Sequence, residues 1–248
     1  MKVSIITVTY NSEKYLETCI RSVLSQTYHD IEYIIIDGSS KDGTKDIIER
    51  YKDKLAISIS EPDHGIYDAM SKGIKSATGD IIGILNSDDL FENNQVVSTI
   101  VKEFEQDRAL EIVYGDLLYV LPDSTQTVKR RWISLPYYDK FFDEGHVPPH
   151  PTLYLKKGVY QKAGLFNLDY RLAADYEFML RVFKKHHLRS KYISQYLVRM
   201  RLGGATNKNA GNIIKGNTEI LRAWKANGLT APISLMPKRL YRRLIQFI

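Results

Sequence analysis

Hydrophobic positions along this chain alternate between two periods. Val3 to Val8 is a largely apolar run of the kind buried inside a parallel sheet, and it stops at Thr9-Tyr10-Asn11-Ser12, a polar stretch able to cap a helix. Tyr15, Leu16, Cys19, Ile20, Val23 and Leu24 then recur at helical spacing and predict one apolar helix face. The same exchange repeats. Tyr33 to Ile36, Ala56 to Ser60, Ile81 to Leu85 and Ile112 to Tyr114 read as strands, the last ending at Gly115-Asp116. Between them, helices are predicted at Thr44 to Tyr51, along Ile66, Met70 and Ile74 with closure at Gly79, and along Val96, Val97, Ile100, Val101 and Phe104. Strands and helices joined by short connections predict an α/β fold, with a mostly parallel central sheet flanked by helices.

Every predicted strand of this half runs into a polar loop, and the loops carry Asn11, Asp37, Asp63, Asp88 and Asp116. Ligands of open α/β sheets bind in the crevice beyond the carboxyl ends of the strands, so these loops describe the rim of a binding crevice. The strand at Ile81 to Leu85 delivers Asn86-Ser87-Asp88-Asp89, whose oxygens suit a divalent ion, Mg²⁺ or Mn²⁺, shared with a phosphate. The alternative is a turn that caps the following helix.

After Leu121 the alternation stops. Trp132, Pro136, Tyr137, Tyr138, Phe141, Phe142, Pro148 and Pro149 dominate up to Pro151, and such loops either shape a substrate pocket or plug onto the core. Leu153 to Leu155 reads as a strand, Ala173 to Phe183 as a helix with an acid near its start, Tyr192 to Met200 as a strand ending in Gly203-Gly204, and Asn212 to Ala226 as a helix. Without repeats or an evident linker, residues 1–205 read as one continuous domain. Residues 1–120 read as its nucleotide-side half, 121–205 as its acceptor-side half, and 206–248 as a C-terminal helical extension.

Composition narrows the chemistry. The single cysteine, Cys19, excludes an intramolecular disulfide framework and a cysteine-based zinc site, and its apolar helical position reads as core. No glycine fingerprint of a dinucleotide-binding turn follows the first strand, and no Walker lysine loop is present. Carboxylates repel phosphates unless a cation stands between them, so the acidic crevice points to a metal-bridged diphosphate. The N-terminal apolar run is too short for a signal peptide or a bilayer span, which makes the cytoplasm the expected location. Part of the net charge of +6 is concentrated in Lys238, Arg239, Arg242 and Arg243. With Leu240, Leu244, Ile245 and Phe247 these residues predict a short amphipathic helix, lying on anionic lipid or packed on the domain with its arginines in water. A nucleic-acid partner is not expected.

Together, Val8-Thr9-Tyr10-Asn11, Asp37-Gly38-Ser39-Ser40-Lys41-Asp42-Gly43-Thr44, His64-Gly65-Ile66-Tyr67-Asp68-Ala69-Met70, Asn86-Ser87-Asp88-Asp89 and Ala174-Asp175-Tyr176 resemble the family 2 inverting glycosyltransferases. Within that family the chain is similar to bacterial enzymes of polysaccharide and glycolipid assembly at the cell envelope. The resemblance spans residues 1–205 and implies the GT-A fold, a nucleotide-sugar donor, most simply a UDP-sugar, a divalent metal, and inversion at the anomeric carbon. It places Thr7, Tyr10 and Asn11 around base and ribose, gives Asp37 a hydrogen bond from the base, and sets Asp63 and Lys72 near base or ribose. It makes Asp88 a ribose or metal contact and Asp89 a second metal ligand. Asn86 stands where the family usually has aspartate, so that position contributes hydrogen bonds without charge. His150 matches a phosphate or acceptor contact, with a purely structural role as the alternative, and Asp175 matches the catalytic base. On its own, Asp175 also reads as an acid favoured by a helix dipole. Asp116 and Gly203-Gly204 are candidates to border the acceptor site. The implied acceptor is a glycan or a polyprenyl or other lipid-linked sugar, met by a peripheral enzyme at the inner face of the membrane. Two rivals remain: a sugar-nucleotide pyrophosphorylase, which would need a basic glycine-rich loop after the first strand, and a non-catalytic sugar-nucleotide binder.

Overall fold

The computed structural model describes residues 1–203 and 210–247. The first half follows the predicted alternation: β1 (Val3–Thr9), α1 (Leu16–Leu24), β2 (Ile31–Asp37), α2 (Thr44–Arg50), β3 (Ile57–Ser60), α3 (Ile66–Ser76), β4 (Ile81–Ile84), β5 (Leu90–Phe91) and α4 (Val96–Gln106). Then come β6 (Ile112–Leu121), β7 (Ser124–Trp132), β8 (Tyr154–Lys156), α5 (Lys157–Ala163), α6 (Ala174–Leu180), β9 (Ser190–Arg201), α7 (Ala210–Ala226) and α8 (Leu235–Leu244).

The strands form one sheet in the order β3-β2-β1-β4-β8-β6-β9-β5, with β7 also on β6. From β3 to β4 every pairing is parallel. Beyond β4 the sheet is mixed: β8 is antiparallel to both neighbours, β6 and β9 are parallel, and β5 and β7 are antiparallel additions. Helices cover both faces, so β1 and β2 carry apolar residues on each. Ile6, Val8, Ile34 and Ile36 enter one core, while Val3, Ile5, Tyr33 and Ile35 enter the other. Close packing of α3 on β1 requires Gly73, where a Cβ would stand 2.4 Å from Ile6 Cγ2.

Several expectations are corrected. The strand at Ile112 does not end at Gly115-Asp116 but runs on to Leu121. Asp116 is tolerated inside the sheet because its carboxylate accepts the Ser134 N–H at 2.8 Å and the Tyr192 hydroxyl at 2.9 Å. A full strand, β7, occupies part of the segment read as irregular; its sequence STQTVKRRW is mostly polar and only Arg130 is buried. The helix ending near Gly79 closes earlier, at Ser76, and Gly79 instead donates its N–H to Ser4 Oγ. Of the aromatics after Trp132, Phe141 and Phe142 plug the core, packed with Tyr137 and Phe183. Of the predicted pair Gly203-Gly204, Gly204 lies outside the described residues, as does the expected boundary at 205. Among the described residues, no helix is long and apolar enough to cross a membrane.

Candidate active site

The carboxyl ends of β1, β2 and β4 meet as the register requires, with Thr9 opposite Asp37. The loops beyond them are tied together through backbone donors. Asn11 N–H donates to Ser40 Oγ at 2.8 Å, Lys41 N–H to Asn11 Oδ1 at 2.8 Å, Ser12 N–H to Thr44 Oγ1 at 2.8 Å, and Gly43 N–H to Glu13 Oε2 at 2.7 Å. This knitting holds Asn11 and Ser39 at φ of 49° and 60°, conformations that residues other than glycine seldom adopt away from functional loops.

Tyr10, Gly38 and Asp63 line one recess. The Tyr10 ring is 59% exposed. A Cβ on Gly38 would come within 2.4 Å of Asp63 Oδ2 and 3.4 Å of Tyr10 Cδ2, so only glycine leaves that space open. Asp63 is fixed through its other oxygen, which accepts the Gly65 N–H at 2.8 Å. Lys72 stands beneath this loop and not in the recess, donating to the Pro62 carbonyl at 2.8 Å and pairing with Glu61 at 2.8 Å.

Two residues expected to face the nucleotide are enclosed instead. Thr7 has no exposed surface and turns its hydroxyl to Tyr33 at 3.1 Å, with Cys19 alongside, so it backs the crevice from within the sheet. Asp37 is equally buried. Its carboxylate is occupied by the Ser40 N–H and hydroxyl and by the Ser60 hydroxyl at 2.6 Å, which makes it the clamp of its own loop. A side chain at a strand end can point back into the core as readily as out, and adjacent motif letters do not distinguish the two.

The two acids after β4 part company. Asp88 is half-buried; burial raises its carboxyl above the ordinary range while Arg201 opposes the rise. Asp89 is fully enclosed, accepts the Arg201 N–H and the Asn86 side-chain amide at 3.3 Å each, and is pushed well up by burial and then by Asp88. Both its oxygens are taken by donors of this chain, and of the pair only Asp88 keeps exposed surface. Among the described residues no three His, Cys, Asp or Glu side chains gather as ligands. Asp88 is the carboxylate of this loop that would hold a divalent ion, which would supply positive charge for phosphate, since Mg²⁺ is commonly held by one or two carboxylates. Among the described residues, the buried Asn86 Oδ1 and Thr9 Oγ1 have no hydrogen-bond partner, leaving two further oxygens for a ligand or water at these strand ends.

On the other side of the crevice Asp175 opens α6, half-buried. Its Oδ1 accepts the Tyr67 hydroxyl at 3.0 Å and the Tyr176 N–H at 2.8 Å, while Oδ2 accepts none among the described residues. His150 is close enough that Asp175 counteracts the fall that burial imposes on its imidazole, and its ring meets Phe166 edge-on at 5.7 Å. The Tyr119 hydroxyl, raised by burial, is lowered by Arg130 and Arg243 and raised by both Asp89 and Asp175. Asp89 of the β4 loop and Asp175 of α6 therefore both lie within electrostatic reach of one tyrosine. A cavity of about 510 Å³ lies elsewhere, at the amino ends of the strands among Met1, Thr78, Asp80, Glu111, Lys156 and Lys157.

Two residues of this region were not singled out from the sequence. Tyr67 sits inside the quoted His64–Met70 motif, and its place on α3 was the available signal. Arg201, 5% exposed, ends β9 and ties the β4 loop down, donating to the Asp88 carbonyl at 2.6 Å, Thr18 Oγ1 at 3.0 Å and the Pro122 carbonyl at 3.3 Å. Nothing in the sequence around it marks that contact.

The family model described as "Glycosyl transferase family 2" matches residues 4–161. The PGL/p-HBAD biosynthesis glycosyltransferase of Mycobacterium tuberculosis is 28% identical over 193 residues, 77% of this chain and 73% of that protein. Among solved structures, Staphylococcus aureus TarS in complex with UDP-GlcNAc superposes with a TM-score of 0.72 at 17% identity, covering 99% of this chain and 73% of that one. The mannosyltransferase PcManGT from Pyrobaculum calidifontis, in complex with GDP-Man and Mn²⁺, gives 0.66 at 17% identity over 97% and 73% of the two chains. The architecture they share with this chain is the GT-A fold.

Proposed function

The chain belongs to glycosyl transferase family 2 and is a glycosyltransferase, and from that premise we propose that it moves a sugar from a UDP-sugar to a glycan or lipid-linked acceptor, with inversion and with Asp175 as base. Residues 1–120 serve the donor, 121–205 the acceptor, and 206–248 extend the domain.

The observation that carries this reading is the state of the Asp175 carboxylate. One oxygen is fixed by Tyr67, a residue of the donor half, and the other has no protein donor among the described residues. In the proposed step the acceptor hydroxyl gives its proton to Oδ2 while its oxygen forms a bond to the anomeric carbon. The bond to the diphosphate breaks on the opposite face, and its electron pair leaves on phosphate. Tyr10 offers an open ring face for the base, and the free oxygen of Asp63 suits a base or ribose donor. Asn11, at the mouth of the same recess, suits ribose, and His150 suits the acceptor beside Asp175. A divalent ion on Asp88 would neutralise charge on the leaving diphosphate. Replacing Asp175 by Asn should leave UDP titration unchanged and reduce transfer on the order of 10²- to 10⁴-fold. Full activity in that variant would refute the base. Titrating UDP with and without Mn²⁺, then assaying donor hydrolysis, separates an enzyme from a mere binder.

A lipid-linked acceptor is supported by the way α8 sits. Of its arginines, Arg239 and Arg242 are half-buried and Arg243 is exposed. Arg239 stacks 4.7 Å from the Tyr176 ring centre, and Arg243 reaches the field of Tyr119. Leu240, Tyr241 and Leu244 are left 61%, 60% and 58% exposed, next to exposed Lys238. An apolar stripe flanked by cations suits an anionic bilayer surface. The full chain should co-sediment with phosphatidylserine vesicles and lose that binding on Leu240→Ser with Leu244→Ser. A wild-type chain that stays in solution ends the membrane proposal.

A further inference from the structure

The approach to Asp175 is gripped along its length by one helix from outside the region that the family model matches. Arg222 of α7 donates to the Asp169 carbonyl at 2.5 Å and lies 4.3 Å from the Tyr170 ring centre. Glu219, 4% exposed, accepts the backbone N–H groups of Arg171 at 3.2 Å, Leu172 at 2.8 Å and Ala173 at 3.0 Å. Further along, Trp224 Nε1 donates to the Tyr176 hydroxyl at 2.9 Å and Asn227 Nδ2 to Glu177 Oε1 at 3.0 Å. Glu219, Ala223, Trp224 and Asn227 share one face of α7 by their spacing, and all are buried.

This arrangement answers a local conflict. The first turn of any helix leaves backbone donors without partners, and the usual remedy is a polar side chain just before it. Here the N-cap position is Ala173, which has no side-chain hydrogen bond to offer. Asp175 gives one oxygen, Oδ1, to a donor of that turn, the Tyr176 N–H at 2.8 Å. Glu219 takes up the three donors that lead into the turn, from 46 to 48 residues further along the chain. Asp175 keeps Oδ2 for chemistry, while the backbone just upstream is pinned by Glu219 and the Tyr176 side chain just downstream is held by Trp224.

We propose that Glu219 is a positioning residue for the reaction: by capping the Arg171–Ala173 segment from α7 it sets the place and direction of the Asp175 carboxylate. The proposal rests on the reading of Asp175 as base. It makes the C-terminal extension a part of the catalytic apparatus.

The test uses the full chain with Glu219→Ala, Glu219→Gln, Trp224→Phe and, as a control on the outer face of α7, Leu221→Ser, since Leu221 is 45% exposed. Hydrolysis of UDP-glucose, UDP-galactose and UDP-GlcNAc, UDP titration and amide exchange at residues 171–176 are measured on each. Misplacing a reacting group by about 1 Å costs about 100-fold, so Glu219→Ala should lose about that much in kcat at unchanged KM and unchanged UDP affinity. Glu219→Gln, which keeps one acceptor oxygen, should lose less, and Leu221→Ser nothing. Amides 171–173 should exchange faster in both Glu219 variants. In an Asp175→Asn background, Glu219→Ala should add nothing. Unchanged kcat with freely exchanging amides overturns the positioning role, as does a fall in UDP affinity that tracks kcat across the variants. If Glu219→Ala does not fold, Glu219→Gln and Trp224→Phe carry the same comparison. Full activity of Asp175→Asn removes the premise, whereas an inactive Asp175→Asn beside a fully active Glu219→Ala removes the positioning role alone.

Discussion

The two sides of the crevice are held by different means. On the donor side, loops that end neighbouring parallel strands bind one another: Asp37 closes on Ser40, 3 positions on, while Asn11 closes on Lys41 and Ser12 on Thr44, 30 and 32 positions on. On the acceptor side, Asp175 is placed by residues more distant in the chain, with Tyr67 108 positions before it and the α7 segment 46 to 53 positions after the residues it grips. A recess built from the ends of adjacent strands is in place as soon as those strands pair. A carboxylate placed by remote contacts is correct only when the whole domain has closed. Substitutions should therefore divide: donor-side changes alter affinity, and acceptor-side changes alter turnover.

The largest effect expected on that comparison comes from the residue that crosses it. Arg201 belongs to β9 but spends its guanidinium on the donor side, on the Asp88 carbonyl and Thr18, with its aromatic neighbour Tyr15 at 4.7 Å. Arg201→Met would strip those carbonyl and hydroxyl groups of a charged donor and leave Asp88 and Asp89 without their cation. We expect a loss of about 3 kcal/mol in urea unfolding, together with weaker UDP binding. A variant with wild-type stability and wild-type UDP affinity would break the idea that the halves are coupled at this arginine.

How much of this was legible follows the same division. The strands β1 to β4 could be read because each is a compact apolar run between polar loops, and the motif residues were collected at the right edge of the sheet. Burial within that edge was not legible. Thr7 sits three positions before exposed Tyr10 and Asp37 two positions before half-buried Ser39, yet both face inward, and Asp89 is enclosed where its neighbour Asp88 is half-buried. Strand β7 escaped because its residues are polar on both faces, and its pairing partner β6, not its own pattern, makes it a strand. The periodicity of α8 predicted an amphipathic helix correctly, but not which face would meet the protein. Tyr176 attracts Arg239 inward through its ring, a contact that depends on two segments far apart in sequence.

A smaller effect sharpens the acceptor side. Tyr67 is half-buried against Phe166, with ring centres 5.5 Å apart, and its hydroxyl reaches Asp175. Tyr67→Phe keeps the packing and removes one hydrogen bond to the carboxylate. Hydrogen bonds to charged groups contribute about 1.5 kcal/mol or more, so kcat should fall about tenfold. UDP affinity and the urea midpoint should stay as in the parent chain. If affinity fell and kcat did not, Tyr67 would belong functionally to the donor recess, and the division drawn between the two sides would be wrong.

The mildest test is the mirror of that one. Tyr10 is an exposed ring beside Gly38 and Asp63, on the loop whose Asn11 has a positive φ. Because its side chain is mostly in solvent, removing it should cost the fold nothing measurable. A ring that stacks on a bound base contributes about 1 kcal/mol, so Tyr10→Ala should weaken UDP binding about fivefold while kcat at saturating donor is retained. The opposite pairing from Tyr67→Phe is what gives the result its force: one tyrosine ring acts on binding, the other tyrosine hydroxyl on turnover. Equal UDP affinity in Tyr10→Ala and the parent chain would mean that the base lies elsewhere, and the recess formed by Tyr10, Gly38 and Asp63 would lose its assignment.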